Sequence, residues 1–394
     1  MIKSKTYEKI IGSFPVGYFD FNNIEAMNYQ LNRYYSFGLF DRDELYSIGQ
    51  RADSFEKWIK IFTELGEKAE AEGNILRAAT CIRAAHFYTL SDVKDTSGKS
   101  PKSKLYERCR SLYDRYYAQF EDLEYVSIPF DEYAIPVYFS KAADAKGTIV
   151  LHGGYDSLIQ EFLGLYSYFT ALGYDVYFFE GPGQGEVLMR YDVRMTEKWE
   201  DCTGAVLDYF GLDDVTLIGV SLGGYLAARA AAFDKRITRL VMFDLIYDFY
   251  GAVIGKMGKL KGKFFDCMTG HPHSFIWKYL DKKLDENYFT KWLMGQGYSI
   301  YKDVHTPCEY FNYIRRFNTR DISKLITQDT LVLAGESDLY TIYYDEQLKA
   351  LTNAKSVTGR LFTKEENADH HCQVGNIGLL LKTITDWTEE KTNG

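Results

Sequence analysis

A chain of 394 residues exceeds what one compact core usually holds, which implies a domain of ordinary size accompanied by a second domain or large insertions. With 46% hydrophobic residues, 26% charged residues and only 7 Pro, it has the make-up of a folded globular protein and not of a disordered or collagen-like one. Acidic side chains outnumber Lys and Arg by 55 to 46, a net charge of −9 with no long basic cluster, so neither nucleic acid nor an anionic membrane is an expected partner.

The chain opens with MIKSKTYEKIIGSF, basic but without the apolar stretch of a secretion signal, and nowhere has a run of about 18 apolar residues. A cytoplasmic protein is expected. From about residue 23 to 120 the apolar residues recur at helical spacing, as in DSFEKWIKIFTELGEKAEAEG and NILRAATCIRAAHFYTLSD. DTSGKSPKSK, from Asp95 to Lys104, reads as a polar turn between two helices, with Pro101 suited to a first helical turn. The helix pair over 53–92 has no second copy at a fixed period, so no repeat is predicted.

Near residue 124 the period switches to alternation, and EYVSIPFDEYAIPVYFS predicts two short strands around an acidic turn. Beyond it β-branched runs alternate with helical stretches. GTIVLHG is followed by a helix from about Leu158 to Leu172, YDVYFFEG by a helix ending near Phe210, DVTLIGV by a helix from Gly223 to about Phe233, and ITRLVMFD closes the series. That order is the mark of a parallel sheet with crossover helices, an α/β class. Between Leu245 and about Leu325 the alternation stops in an aromatic-rich helical stretch, after which DTLVLAG resumes as a strand. The organisation expected is a helical domain over 1–123 and an α/β domain over 124–394, with an insertion at about 245–325 that is either a lid over the strand ends or a packing element.

The segment LIGVSLGGYLAARAAA carries the main chemical signal. A strand runs into Gly219-Val220-Ser221-Leu222-Gly223 and then into an alanine-rich helix, the sharp strand-to-helix turn that exposes a serine oxygen at a sheet edge and needs small flanking residues. Ser221 is the candidate nucleophile. A serine needs a base that takes its proton and returns it, which an imidazole does best near neutral pH. Of the seven histidines, His86 sits in the helical domain and is expected to be packing, while His271, His273 and His305 fall in the insertion. With the chain order Ser, acid, His, the base is one of the adjacent pair His370 and His371 in ENADHHCQVGN. The acid is expected at Asp338 in LVLAGESDLYT, with Glu336 as its rival. Two backbone N–H donors must meet the developing oxyanion. One is Leu222; the other comes from Gly153, Gly154 or Tyr155 in LHGGYDS, and Gly154 is preferred because a glycine lets the backbone approach.

EGPGQGEVL misses the dinucleotide spacing by one residue and has no phosphate-binding lysine motif, so it is read as a loop beneath the site. Cys81, Cys109, Cys202, Cys267, Cys308 and Cys372 show no metal-like spacing and are expected as reduced thiols. No metal and no cofactor are expected.

As a set, HGGYDS, FEGPGQG, GVSLGGYLAARAAAF, LAGESD and FTKEENADHHCQVGN, behind a helical amino-terminal part, resemble the α/β-hydrolase group that contains 2,6-dihydroxypseudooxynicotine hydrolase, the fungal polyketide-shortening hydrolases of yellowish-green type and the fermentation-respiration-switch esterase-like proteins. The resemblance spans about residues 53 to 390. It implies a mostly parallel sheet of about eight strands, a homodimer, Ser221 and Asp338 in a triad, and His371 as the base because the histidine there directly precedes Cys-Gln. Leu339 stands where a histidine often follows the acid, so any role of that histidine is absent here. It also implies a small-molecule substrate with an ester or ketide-like carbonyl, cleaved at an ester or at a carbon–carbon bond. Tyr155 is a candidate substrate contact on an aromatic-lined pocket, in a chain with 33 Tyr. Asp244 and Asp248, in FDLIYDF, are candidates to touch substrate or protonate a leaving carbanion, against the simpler role of loop capping. Two other readings compete: a peptidase of the acylaminoacyl or dipeptidyl type, and a binding protein that keeps the fold without turnover.

Overall fold

The computed structural model describes residues 13–91 and 100–393. Its amino-terminal part is helical, with helices Glu25–Ser36 and Arg42–Arg51 followed by three amphipathic runs that each open on a side-chain cap. Ser54 and Asn74 accept from the backbone N–H of Lys57 and Arg77 and open helices Phe55–Ala71 and Ile75–Tyr88. Pro101 is the first residue of helix Pro101–Tyr117, capped by Ser100. The part of the expected turn from 95 to 99 lies outside the described residues. Trp58 and Phe62 are fully buried against the Ile75–Tyr88 helix, and the Trp58 indole donates to Ala84 O at 2.8 Å.

Eight strands follow: β1 Glu124–Phe130, β2 Tyr133–Ser140, β3 Gly147–His152, β4 Tyr174–Phe179, β5 Val215–Val220, β6 Ile237–Phe243, β7 Asp329–Gly335 and β8 Ser356–Phe362. They form one sheet in the order β1-β2-β4-β3-β5-β6-β7-β8. β1 and β2 make the expected hairpin, its acidic turn carrying Asp131 at φ +47°, and β2 runs antiparallel to β4, while the remaining pairs are parallel. β5 and β7 are buried at every position, as parallel strands covered on both faces must be.

The stretch expected as one helix over 158–172 is broken into two short 3-10 turns and helix Tyr166–Ala171. Its first turns are claimed by side chains from elsewhere: the Glu180 carboxylate accepts from Ile159 N at 2.8 Å, and Glu161 pairs with Arg33 and Arg83 of the helical part. The helix expected to end near Phe210 is likewise two, Gly185–Tyr191 and Trp199–Phe210, because Asp192 turns left-handed at φ +56°.

The stretch between β6 and β7 holds five helices, Phe249–Gly255, Lys259–Thr269, Phe275–Glu286, Tyr288–Ile300 and Pro307–Ile314. The fourth is tied to the amino-terminal helices. Trp292 Nε1 donates to Phe87 O at 2.6 Å, Tyr288 Oη donates to Tyr88 O at 2.9 Å, and the Tyr288 ring stacks on Phe55. All six cysteines are free thiols. Among the described residues no helix is long and apolar enough to cross a membrane.

Candidate active site

Ser221 sits between β5 and helix Gly223–Phe233 with φ at +62°, a left-handed conformation that costs a non-glycine residue on the order of 1–3 kcal/mol. The surroundings hold it there: its N–H donates to Phe243 O on the neighbouring strand at 2.5 Å, and its carbonyl accepts from Gly224 N at 2.8 Å. A Cβ at position 219 would lie 1.9 Å from Gly223 O, so the close return of chain on chain admits only glycine there.

The serine Oγ lies 2.8 Å from His371 Nε2, and His371 Nδ1 lies 2.6 Å from Asp338 Oδ2. Asp338 caps the turn after β7 by accepting from Tyr340 N, which fixes its carboxylate toward the imidazole. His371 is presented by a tight loop in which Cys372 and Gln373 are both left-handed, and its carbonyl accepts from Tyr29 Oη at 3.0 Å. Burial alone would depress the His371 imidazole; the Asp338 carboxylate, with the Cys372 thiol, outweighs it and raises the ring well above 6.5. Burial would raise Asp338, but His371 and the Asp244 carboxyl bring it below its ordinary value. His370 points elsewhere and stacks on Tyr18 at 3.6 Å between ring centroids. Glu336 is exposed and accepts from Lys364 N.

Asp244 is closer to this chemistry than its sequence context suggests. It is 1% exposed, its Oδ2 stands 3.5 Å from His371 Nδ1, and its two oxygens accept from Cys372 N at 2.7 Å and Gln373 Nε2 at 2.8 Å. Burial first, then the Asp338 charge, raise its carboxyl well above the usual range, so that of the two acids Asp244 is the more reluctant to ionise. Asp248, expected to meet substrate, has both oxygens committed. Oδ1 accepts from Gly251 N at 2.9 Å as a helix cap and Oδ2 pairs with Arg320 at 2.5 Å.

The loop after β3 differs from expectation in one residue. The Gly154 N–H donates to Ser157 Oγ at 2.9 Å and is therefore spent. Its lack of a side chain serves close packing instead: a Cβ there would lie 2.6 Å from Val220 O and 2.7 Å from Leu222 N. Gln184 Nε2 donates to the carbonyls of Gly153 and Gly154 at 2.7 and 2.9 Å. Because a trans peptide points its N–H opposite to its C=O, the bond to Gly154 O turns the Tyr155 N–H away from Gln184. Neither that N–H nor the one of Leu222 has an acceptor among the described residues. Gln184 was not singled out in FEGPGQG, where only the glycines draw notice. Replacing it with leucine strands two buried carbonyls at about 1–3 kcal/mol each; we expect a lower Tm by differential scanning calorimetry together with a fall in kcat larger than any change in KM.

Tyr155 itself places its ring 5.7 Å from Tyr301 and 6.4 Å from Phe249, with its hydroxyl buried. Tyr340 stands 5.7 Å from the His371 ring and 5.9 Å from Phe249. Aromatic rings thus run from the histidine to the helices between β6 and β7. Elsewhere His271 Nδ1 lies 2.9 Å from Cys267 O, and the His305 N–H donates to Glu309. Asp244, His371 and Cys372 could by spacing hold a metal, but hydrogen bonds already engage Asp244 and His371.

This sheet, this turn after β5 and these loops after β6, β7 and β8 define the α/β-hydrolase fold. The family model described as "Alpha/beta hydrolase family" matches residues 149–373, more than half of the chain, and the chain belongs to that family. It is similar to the hydrolase acrC of Aspergillus aculeatus, 26% identical over 319 residues that make up 70% of this chain and 69% of that protein. It is also similar to the hydrolase LUC6 of a Fusarium species, 27% identical over 384 residues, 85% of this chain and 88% of the relative. Several other matches span about half of the relatives' length. Among solved structures, a 2,6-dihydroxy-pseudo-oxynicotine hydrolase superposes with a TM-score of 0.63 at 18% identity over 90% of this chain and 94% of that one, a likeness of fold.

Proposed function

We propose that the chain is a serine hydrolase in which Ser221 attacks the carbonyl of a small acyl, ester or ketide-like substrate. The observation that supports this best is the linked pair of contacts, Ser221 Oγ to His371 Nε2 at 2.8 Å and His371 Nδ1 to Asp338 Oδ2 at 2.6 Å. In this reading His371 takes the serine proton as the Oγ–C bond forms, Asp338 holds the ring in the tautomer that leaves Nε2 free, and the imidazolium returns the proton to the leaving group. The N–H groups of Leu222 and Tyr155 receive the negative charge that develops on the carbonyl oxygen. Water then repeats the attack with His371 again as base.

The aromatic wall of Tyr155, Phe249 and Tyr340 favours an aromatic or extended unsaturated body over a bare short acyl chain. The test is a fluorophosphonate probe with wild type and Ser221→Ala, alongside p-nitrophenyl esters of several chain lengths, an aminoacyl anilide and an aromatic β-diketone. Serine-dependent labelling with ester turnover supports an esterase, and diketone cleavage with poor ester turnover supports a carbon–carbon hydrolase. Preference for the anilide moves the peptidase reading forward. A wild-type protein that neither labels nor turns anything over defeats the hydrolase reading.

A further inference from the structure

Thirteen large apolar side chains stand out into solvent among the described residues, and five of them, Met257, Leu260, Phe264, Phe275 and Tyr279, fall in the first part of the stretch between β6 and β7. Leu260 is 86% exposed, Phe275 79%, Phe264 61% and Tyr279 60%. Single apolar residues on a surface are ordinary, whereas a group gathered on one element marks a surface that meets something. Leu260 and Phe264 stand one turn apart on helix Lys259–Thr269, as Phe275 and Tyr279 do on helix Phe275–Glu286, so each pair shares a face. The inward faces do the packing. Phe265 meets Trp277 edge-on with ring centroids 5.5 Å apart and Phe311 at 4.8 Å, and Trp277 Nε1 donates to Met268 O at 3.0 Å. The four outward side chains are no part of that core.

Lysines surround them. Between Lys256 and Glu286 the chain has seven lysines against four acidic residues, although as a whole it carries −9. Lys256, Lys259, Lys261, Lys263, Lys278 and Lys282 are all exposed, and none of the six is in an ion pair among the described residues. Two of the four acids are already neutralised, Asp266 by Arg315 at 2.5 Å and Glu286 by Lys283 at 2.7 Å. By helical geometry Lys261 and Lys263 fall on either side of the line through Leu260 and Phe264. From the total charge no anionic membrane was an expected partner; folding gathers positive charge onto one face that the total conceals.

The face adjoins the candidate active site. Helix Phe249–Gly255 leads into it and packs on the turn that follows Asp338, where a Cβ at Gly255 would lie 3.2 Å from Ile342 Cδ1, and Ile342 is itself exposed. A second copy of the chain, set on this face by a two-fold axis, brings lysine against lysine. An anionic lipid surface suits both features, since it takes apolar side chains among its acyl chains and ammonium groups among its phosphates.

We infer that the outward face of helices Lys259–Thr269 and Phe275–Glu286 is a docking surface for a bilayer leaflet with anionic headgroups, on which the protein rests without spanning it. Vesicle binding is read without turnover, so it stands or falls apart from the hydrolase reading. The measurement is flotation with vesicles of phosphatidylcholine and with vesicles in which about one quarter of that lipid is replaced by phosphatidylglycerol. Wild type should bind the anionic vesicles at least about tenfold more strongly than the neutral ones, and less strongly at high salt. Leu260→Ser/Phe264→Ser and, separately, Lys259→Gln/Lys261→Gln/Lys263→Gln should each lower the partition coefficient about tenfold or more. Lys60→Gln/Lys68→Gln, on helix Phe55–Ala71 where each lysine has a glutamate one turn on, should leave it unchanged. Melting followed by circular dichroism should give all variants the Tm of wild type, because the altered side chains lie outside the core. No vesicle binding by wild type, equal binding to neutral vesicles, or an equal loss in the Lys60 and Lys68 variant overturns the proposal. A dimer seen by analytical ultracentrifugation that Leu260→Ser/Phe264→Ser splits, with no vesicle bound, also overturns it and makes the face a contact between copies.

Discussion

Replacing Ser221 or His371 with alanine is expected to lower kcat by about 10⁴- to 10⁶-fold for whichever ester proves to be the best substrate, and the double variant should be scarcely worse than either single one. The non-additivity follows from geometry: with Oγ and Nε2 2.8 Å apart, each group is useful only through the other. Removing the hydroxyl leaves the turn after β5 intact, since its position is set by main-chain bonds to Phe243 and Gly224. The Tm of Ser221→Ala should therefore stay within a few degrees of wild type. His370→Ala removes a ring stacked on Tyr18, away from Ser221, and should keep activity within about threefold. Comparable losses from the two histidine variants, measured by stopped-flow burst and steady-state rates, would reverse their assignment.

The second large effect concerns the acid, where two carboxyls serve one imidazole. Loss of the triad acid alone often costs about 10⁴-fold. Here Asp338→Ala should cost less, about 10²-fold, because Asp244 Oδ2 is already 3.5 Å from His371 Nδ1 and ionises more readily once the Asp338 charge is gone. Asp244→Asn alone should cost about tenfold, because an amide replaces one of the two oxygens that fix Cys372 and Gln373. The double variant should fall to the full loss. A product of the two single effects that matched the double variant would show that Asp244 does not substitute for Asp338.

The pH profile gives the same argument a sign. His371 must be neutral to act as base, and its folded pKa is raised by Asp338, so kcat/KM should climb as pH rises through a value above 6.5. Asp338→Asn removes the carboxylate that holds the proton on, so the acid limb should move to lower pH while the plateau drops. An acid limb that stays in place would mean that the limb does not report His371.

Much of this was readable from the chain. Helix Gly223–Phe233 lies where it was expected, from Gly223 to about Phe233, since the alanine-rich run and the glycines at the turn leave few alternatives. Seven of the strands were legible, the central ones because fully buried parallel strands show as unbroken β-branched runs, as in VTLIGV and DTLVLAG, whereas the edge strand β8, SVTGRLF, is only partly buried and was not read. The broken segment from 159 to 171 was not, because Glu180, Arg33 and Arg83 reshape it from far away in sequence, and local periodicity carries no record of such partners. The same holds for the site. Chain order and turn position single out Ser221, Asp338 and His371, which the structure joins in a chain of hydrogen bonds, whereas Gln184 and Asp244 make contacts that exist only when three loops are folded together. The exchange of Gly154 for Tyr155 as the free amide depended on a single hydroxyl, Ser157 Oγ, three residues along.

The loop that carries His371 is gripped from the other end of the chain. Tyr29 holds the histidine carbonyl, Ser36 Oγ accepts from Gly375 N, and Gly17 N donates to Gly375 O, while the neighbouring helices hold Trp292 and Tyr288 between β6 and β7. The sheet is therefore not a portable module: a fragment cut at residue 124 would retain Ser221, Asp338 and His371 and lose the brace on the His371 loop. Helix Tyr288–Ile300 and the His371 loop are thus fastened to one helical layer, so a change that loosened that layer would be felt at both.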